Sequence, residues 1–318
     1  MAPGVAGMAD GPGTDRMSRG GRSPDALPPI LCYHKVDTRL ELGVTRLGPR
    51  AFRSQMEALA RAGTRTLGGA ELEALLTGPA AGEGGRRPEG PSLRPPPPCV
   101  VLTFDDGYAS LASHAFPVLA DLGLRALVFV VTDFVGRDND WDVHYGWLRF
   151  RHLSWDELAR WRERGIEVHS HGAAHARLTW LEDAAAADEL GRSREAIAGR
   201  LGEAPAALAY PFGAVDARVA RLARAAGYRL GFAGPGGRAG GAGAADPMAL
   251  PRRPVYAWDA SATPLVLRED PLGAVARAAA RLANRLSVTT SLVHRLGWGG
   301  GERPAGRREA KPGSQEVR

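Results

Sequence analysis

The chain has 318 residues, of which 44% are hydrophobic, 24% charged and 7% aromatic, which is enough apolar content for one large or two ordinary folded domains. Its formal net charge is +6, but the basic residues are scattered rather than gathered into an arm with interleaved aromatic residues, which argues against nucleic-acid binding. No run approaches the roughly 20 apolar residues of a transmembrane helix.

The first 29 residues have a Gly/Pro/Ser-rich composition that predicts a disordered tail. They contain no continuous apolar stretch and so lack the core of a signal peptide. We therefore expect a cytoplasmic protein, or an extracytoplasmic one if translation starts further upstream.

The predicted elements begin with a short buried strand, "ILCYHKV", at residues 30–36. Two helices follow, in "LGPRAFRSQMEALARAG" and "GGAELEALLTG", and residues 79–98 form a flexible Pro/Gly-rich insert. From residue 99 onward, apolar strands alternate with amphipathic helices in at least five successive units, which is the pattern of a parallel sheet covered by helices. Such a continuous run favours an α/β barrel over an open sheet, and we place this domain at residues 30–268.

The alternation stops after "MALPRRPVYAW", and residues 269–298 are predicted to form a basic amphipathic helix. We expect this helix to dock on the barrel with its charged face in solvent, while a weak contact of residues 270–296 with a membrane surface is the alternative. The apolar stripe of the helix comprises Leu272, Val275, Ala279, Leu282 and Leu286. Residues 299–318 are predicted to be a second disordered tail.

Polar side chains collect at the predicted carboxyl ends of the strands, where an α/β barrel builds its shared site. They are His34, Asp105, Asp106, His169, His171, His175, residues 210–213, and Arg252 or Arg253. Taken alone, "TFDDGY" is most simply a polar turn. His171 and His175 lie four residues apart after a strand, and two imidazoles with one carboxylate suit a divalent metal ion such as zinc. His169 fits a core position or a position behind a metal ligand.

The motifs "LTFDDGY", "HSHGAAH" and "YPFG", in this order, resemble those of the polysaccharide deacetylase family, which is also known as the NodB-homology domain or carbohydrate esterase family 4. The resemblance covers residues 30–260 approximately and implies a distorted (β/α)7 barrel. It also implies metal-dependent removal of acetyl groups, usually from the N-acetylglucosamine units of a glycan.

Carried over to this chain, the resemblance makes Asp105 the general base and assigns the metal ion to Asp106, His171 and His175. Zinc is the expected ion, with cobalt, nickel or another divalent ion as alternatives. The base would accept a proton from a water molecule whose pKa the metal ion lowers towards about 7.

The third motif, Tyr210-Pro211-Phe212-Gly213, would form a wall of the substrate groove, and the backbone N–H of Phe212 would stabilise the oxyanion. Two departures from the family pattern stand out. The arginine that normally precedes this motif is replaced by Ala209, and no late strand carries the usual Leu-x-x-His. His294 in "SLVHRL" lies in the predicted basic helix and is judged a false match.

The strand at residues 31–34 is itself a Leu-x-x-His, so a permuted order of elements would bring the missing strand to the start of the chain. The sequence resembles a subgroup of bacterial exopolysaccharide deacetylases with this "YH" strand, such as those that act on poly-N-acetylglucosamine. In that subgroup His34 is the expected general acid. Arg252 would replace the missing arginine, and Trp258 and Asp142 are candidate groove residues.

Two other functions stay open. One is a metal-dependent hydrolase of a non-sugar amide or imide on the same fold, and the less favoured one is a non-catalytic glycan-binding domain, which has no need of both an acid and a base. Cys32 and Cys99 are expected to be two buried thiols, with a bridge between neighbouring strands as the alternative.

Overall fold

The structure is a computed structural model that describes residues 27–39, 44–77, 98–138, 149–235, 246–259, 273–279 and 282. In this part of the chain the strands are β1 Ile30–Tyr33, β2 Lys35–Val36, β3 Arg46–Leu47, β4 Arg65–Thr66, β5 Cys99–Phe104, β6 Ala126–Val130, β7 Ile166–Ser170, β8 Ala207–Ala209, β9 Leu230–Ala233, β10 Leu250–Pro251 and β11 Arg253–Pro254. The α-helices are α1 Pro49–Arg61, α2 Gly69–Thr77, α3 Ser110–His114, α4 Phe116–Asp121, α5 Trp155–Arg162, α6 Asp183–Leu201 and α7 Ala217–Ala225. Short 3₁₀ turns span Thr132–Phe134, Leu178–Trp180 and Pro211–Gly213.

Parallel strands of the described residues form one sheet in the order β10-β9-β8-β7-β6-β5-β1-β11. The two strands at its edges are covalent neighbours, because only Arg252 separates β10 from β11. The sheet is therefore a nearly closed barrel. If β10 and β11 are counted as one interrupted strand, the barrel has seven strands, in agreement with the predicted distorted (β/α)7 barrel. A short strand, β4, extends the sheet beside the first residues of β5.

Alternate residues of the strands fill the barrel with apolar side chains. The inner cluster includes Ile30, Val101, Leu127, Phe129, Ala207, Ala209, Leu230, Phe232 and Leu250. Because side chains along a strand alternate between its two faces, the next inward positions on β1 and β5 continue to Cys32 and His34, and to Thr103 and Asp105. Apolar side chains therefore fill the body of the barrel, and polar side chains such as His34 and Asp105 lie at its carboxyl end.

Helices cover the outer faces of the sheet. On one side α1, α4 and α5 pack on outward residues of β1, β5 and β6, and the predicted apolar positions Phe52, Met56 and Leu59 of α1 are buried as expected. On the other side α6 and α7 enclose a second outer cluster around Leu190, Val219 and other residues. These two helical layers fix the barrel strands along the barrel axis, which sets the position of the residues at the carboxyl ends of the strands.

The predicted strand at residues 30–36 is divided in two at His34. Residues before it belong to the barrel as β1, whereas Lys35 and Val36 pair with β3 in a separate two-stranded sheet. The histidine therefore lies at the point where the chain leaves the barrel, as the sequence predicts.

The orientation predicted for the carboxyl-terminal helix is wrong in the part that the structure describes. Residues 273–279 are helical, but Val275 and Leu282 are 66% and 59% exposed, whereas Gly273 and Ala276 are buried. The buried face of this helical segment is therefore formed by small residues and not by the predicted apolar stripe. Leu272 and Leu286 of the predicted stripe lie outside the described residues.

Several other predictions fall on residues that the structure does not describe. These are most of the tail at 1–29, most of the insert at 79–98, the tail at 299–318, Asp142 and His294. Among the described helices, none combines the length and apolar character that a membrane crossing requires.

Candidate active site

Asp105 and Asp106 follow β5 directly and lie at the carboxyl end of the barrel. Tyr33 of β1 pairs with Phe104 of β5, and the backbone N–H of Asp105 donates to the carbonyl of Tyr33 at 2.9 Å. The next residue along β1 is His34. The register of these two strands therefore places His34 and Asp105 side by side at the same height.

Asp106, His171 and His175 bring one carboxylate and two imidazoles together in a buried cluster. Asp106 Oδ1 lies 3.5 Å from His171 Nε2 and 3.6 Å from His175 Nε2, and the ligand atoms of all three residues lie within 4.8 Å of one another. His171 Nδ1 donates to the carbonyl of Ala209 at 2.8 Å, which turns Nε2 towards Asp106. This donor set fits a divalent ion held by three protein ligands, with a position left open for water.

The two imidazoles of this cluster are in the form that binds a metal ion. Burial lowers the pKa of His171, and burial together with the neighbouring ring of His171 lowers the pKa of His175 still further. Their ring centroids are 4.9 Å apart. Both rings are therefore neutral at neutral pH, as a metal ligand must be.

Asp105 forms a buried ion pair with Arg252, the residue between β10 and β11. Arg252 Nη1 and Nη2 donate to Asp105 Oδ1 and Oδ2 at 2.6 and 2.7 Å, and Nε donates to the carbonyl of Ala233 at 3.2 Å. Burial by itself raises the pKa of Asp105, but the guanidinium of Arg252 outweighs it and holds that pKa well below its usual range. Asp105 is thus ionised, and the brace predicted for Arg252 is geometrically in place.

His34 and Cys32 flank Asp105 on the β1 side. The His34 side chain is partly exposed, its Nδ1 atom is buried without a hydrogen-bond partner among the described residues, and burial lowers its pKa to about 4. The Cys32 thiol donates to Asp105 Oδ2 at 3.5 Å. This contact was not predicted, although the alternation of side chains along a strand already puts residues 32 and 34 on one face.

The two cysteines do not form a bridge. Cys32 is a buried free thiol, as expected, and burial raises its pKa well above the ordinary value. Cys99 is also free, but it is partly exposed, so the prediction of a second buried thiol is wrong. Its position at the first residue of β5 leaves it at the rim of the barrel.

The third motif contributes less to a groove than the sequence predicts. The Tyr210 side chain is completely buried, and its hydroxyl donates to the carbonyl of Met248 at 2.8 Å, so it does not line a substrate groove. Strand alternation turns Ala209 inward and Tyr210 outward beneath α6 and α7. Pro211 is also buried, whereas Phe212 and Gly213 are partly exposed, and the Phe212 ring lies 4.7 Å from that of His175.

Unusual backbone conformations mark the same site. In the part of the chain that the structure describes, the non-glycine residues with positive φ are Asp106 at 67°, His175 at 58° and Phe212 at 60°. Such conformations cost on the order of 1–3 kcal/mol each and cluster at functional sites. His152 Nδ1 donates to the carbonyl of Asp106 at 2.8 Å and helps to hold the first of these turns. Two predicted metal ligands and the predicted oxyanion donor are thus held in strained positions.

The remaining candidates lie apart from the cluster. The His169 ring lies 5.8 Å from the ring of Phe129 inside the barrel, with Nε2 3.4 Å from a Glu167 carboxylate oxygen, so it occupies a core position. Trp258 is 43% exposed and its ring lies 4.8 Å from that of Tyr256, which leaves a face for stacking on a sugar. Its role in substrate binding stays a prediction.

A side chain outside the set of predicted site residues lies next to the loop of the third motif. The Arg177 guanidinium lies over the rings of Trp180 and Phe212, at 4.9 and 5.8 Å, and two of its nitrogen atoms are buried without a hydrogen-bond partner among the described residues. Trp180 is 40% exposed. No motif predicts this arrangement, because it depends on a contact between two loops.

Part of the chain is similar to a known protein family. The family model described as "Polysaccharide deacetylase" matches residues 92–231. YxkH of Bacillus subtilis (strain 168), a protein named for polysaccharide deacetylase activity, is 25% identical over 203 residues, which are 64% of this chain and 63% of YxkH. The chain thus spans less than two thirds of that relative. Residues 92–231, which are less than half of the chain, therefore match the polysaccharide deacetylase family, whose members are hydrolases that act on the C–N bond of N-acetyl groups.

Solved structures share the fold. The deacetylase PplD from Streptococcus pyogenes, determined in complex with acetate, superposes with a TM-score of 0.61 at 21% identity, over 77% of this chain and 98% of PplD. IcaB from Ammonifex degensii superposes with a TM-score of 0.52 at 25% identity, over 64% of this chain and 82% of IcaB. The family model includes the metal cluster and Asp105 but ends before Arg252 and begins after His34, so the roles of these two residues depend on geometry.

Proposed function

We propose that the chain is a metal-dependent deacetylase that hydrolyses the N-acetyl group of an N-acetylated glycan. The observation that carries this proposal is the buried cluster of Asp106, His171 and His175 next to the ion-paired carboxylate of Asp105. One carboxylate is placed to bind a metal ion while its neighbour remains ionised and available as a base. Zinc is the ion that this donor set favours, with cobalt or nickel as alternatives.

In the proposed reaction Asp105 accepts the proton of the attacking water. The metal ion, when bound, lowers the pKa of water and polarises the acetyl carbonyl. The backbone N–H of Phe212, held by the positive φ of that residue, donates to the carbonyl oxygen as negative charge develops on it. Arg252 keeps the Asp105 carboxylate in a fixed orientation, because a bidentate guanidinium allows little rotation.

His34 is proposed to protonate the departing amine. Because its pKa is about 4, the ring is neutral at neutral pH before the reaction starts, and it must gain its proton during the reaction. One ring nitrogen of His34 and one carboxylate oxygen of Asp105 lie within 4.8 Å of each other. This is close enough for the proton taken by Asp105 to pass to His34 through one intervening water. The acid and the base then act in sequence with a single proton.

The proposal is tested by acetate release from metal-reconstituted protein. Asp105→Asn should lower turnover by at least about 10³-fold with the metal still bound, since it removes proton acceptance from a buried site. His171→Ala should lose the metal ion of the Asp106, His171 and His175 cluster, and with it the activity. His169→Gln, which alters a buried imidazole on β7 two residues before His171 and outside the cluster, should retain the metal. Normal deacetylation by Asp105→Asn would contradict the assignment of Asp105 as the general base.

The substrate class is tested in the same assay. N-acetylglucosamine oligomers, a nucleotide-linked N-acetylated sugar, a lipid-linked one and a cyclic amide are compared under identical metal loading. We expect release from the N-acetylated sugars and none from the cyclic amide. Hydrolysis of the cyclic amide alone would favour the imide or amide hydrolase instead, and metal-free binding of glycan without turnover would favour a binding domain.

A further inference from the structure

The inner face of β1 carries two potential metal ligands beside the proposed base. Cys32 and His34 lie on the same face of the strand, and the thiol of Cys32 is 3.5 Å from Asp105 Oδ2. One donor atom from each of Cys32, His34 and Asp105 lies within 4.8 Å of the other two. In a tetrahedral site with bonds of about 2.0–2.3 Å the ligand atoms stand well under 4 Å apart, so only a small closure is required.

We propose that Cys32, His34 and Asp105 form a second metal site, distinct from the cluster of Asp106, His171 and His175, and that a thiophilic divalent ion bound there inhibits the enzyme. A thiolate with an imidazole and a carboxylate selects Zn²⁺ or Cd²⁺ over Mg²⁺ or Ca²⁺. The buried Nδ1 of His34, which has no hydrogen-bond partner among the described residues, is accounted for if that side chain serves as a ligand.

Binding of a metal ion at this site releases one proton, and we expect it to be weaker than binding at the first site. The S–H bond of Cys32 breaks, a sulfur–metal bond forms and the proton passes to solvent. Arg252 already donates to both oxygens of Asp105, but an ionised carboxylate offers about four lone-pair positions, so at least one remains for the ion. Arg252 and an ion at the first site both repel a second cation. We therefore expect at least tenfold lower affinity for the second ion.

The second ion would inhibit the enzyme because of the residues that it binds. This consequence rests on the proposed function. The site contains both the proposed base and the proposed acid. An ion bound to Asp105 and His34 prevents proton transfer at either step. One equivalent of zinc should therefore activate the protein, and an excess should inhibit it.

The site itself is tested without any reference to activity. Metal-free protein is titrated with Co²⁺, and the thiolate-to-cobalt charge-transfer absorption is followed. We expect this band to appear only after the first equivalent has bound, to be absent in Cys32→Ser, and to persist in Cys99→Ser, which alters the other free cysteine. Cys32→Ala provides a second variant if serine perturbs folding, which circular dichroism reports. No band in the wild type, or an unchanged band in Cys32→Ser, would overturn the proposal.

The inhibitory effect is tested by acetate release as a function of added Zn²⁺. The wild type should rise to a maximum near one equivalent and then fall at least tenfold in excess zinc, whereas Cys32→Ser should show the rise without the fall. Excess zinc that inhibits both proteins equally would refute inhibition through Cys32. If the wild type releases no acetate at any zinc level while the cobalt band is present, the proposed function fails and the second site stands.

Discussion

Asp105 and Arg252 are both almost inaccessible to solvent, at 3% and 4% exposure, and each is the other's counter-charge. Burying two charges costs several kcal/mol of desolvation per ion, which their mutual attraction and hydrogen bonds offset only when the geometry is good. The bidentate contact at 2.6 and 2.7 Å meets that condition. The pair is therefore better understood as a device that keeps a buried carboxylate ionised than as a source of stability.

Removal of one partner should be costly. Arg252→Gln leaves the Asp105 carboxylate buried without its cation, and we expect the free energy of unfolding to fall by about 3–5 kcal/mol. Deacetylation should fall at least tenfold, because burial then raises the pKa of the base and its orientation is lost. Urea denaturation and acetate release measure the two effects. Arg200→Gln, an exposed arginine on α6, should change stability by less than about 0.5 kcal/mol. Wild-type stability in Arg252→Gln would contradict this account of the pair.

The residues that sequence predicts well are those whose position follows from strand register and alternation. His34, Asp105 and His171 all come directly after barrel strands, and a barrel brings such residues to one end. The prediction that Tyr210 lines the groove was wrong because all four residues of the motif were assigned to the groove wall. Alternate residues of an extended segment face opposite sides. Cys32 and Arg177 were missed because their contacts cross between elements that are distant in sequence.

Helix α5 begins with a capping box formed by Ser154 and Glu157, and Arg151, which precedes the box, also binds Glu157. The Ser154 hydroxyl accepts from the Glu157 backbone N–H at 3.2 Å, and Glu157 Oε2 accepts from the Ser154 backbone N–H at 2.8 Å. Arg151 donates to both oxygens of Glu157 at 3.0 and 2.8 Å. Burial alone raises the pKa of Glu157, but the hydrogen bonds from Arg151 and Ser154 lower it to about 2. Sequence spacing predicted the box but not the arginine.

The depressed pKa of Glu157 predicts how its contribution to stability depends on pH. The folded-state pKa of about 2 lies below the unfolded value of 4.5, so the stabilisation is fully present above pH 4.5 and is lost as the pH falls from about 4.5 to about 2. Glu157→Gln should therefore be less stable than the wild type at pH 7, and the gap should narrow by pH 3. Urea denaturation across this range measures it. Arg151→Gln should follow the same trend, and a gap that is constant with pH would contradict the linkage.

The turn at Pro211–Gly213 depends on glycine at its last position. Gly213 has a φ of 62°, and an added Cβ would lie 2.5 Å from both N and Cα of Gly234. Gly213→Ala should therefore shift the loop, lower the free energy of unfolding by about 1–3 kcal/mol and reduce deacetylation at least tenfold through displacement of the Phe212 N–H, with metal binding retained. Denaturation, metal content and acetate release measure these effects.

The matched control for that substitution is Gly199→Ala. Gly199 lies inside helix α6, and an added Cβ would meet nothing within 4 Å. Alanine there should stabilise the protein by up to about 1 kcal/mol, because it restricts the unfolded chain and favours the helix. Equal effects of the two substitutions on deacetylation would remove the argument for the turn.

Across the whole molecule, closure of the barrel explains why residues from both ends of the domain meet. β1 lies between β5 and β11, so the first strand of the domain carries His34 to one side of Asp105 and the segment between the last two strands carries Arg252 to another. The alternation of strands and helices predicted the barrel itself. The break at Arg252 was not predictable, because β10 and β11 are only two residues each and "LPRRP" has two prolines that weaken any strand signal.

The metal cluster joins β5 to the segment after β7, so an ion bound there should stabilise the folded barrel as a whole. An ion that binds only the folded state at 100 times its Kd contributes about 2.7 kcal/mol, which corresponds to roughly 5–10 °C in Tm for a domain of this size. Chelation of zinc-loaded protein should lower the Tm by this amount, and added zinc should restore it. His171→Ala should show a clearly smaller response, because it lacks a ligand of this cluster and only the weaker site at Cys32, His34 and Asp105 remains to bind zinc. A zinc-dependent rise in the Tm of His171→Ala as large as that of the wild type would place the stabilising ion elsewhere.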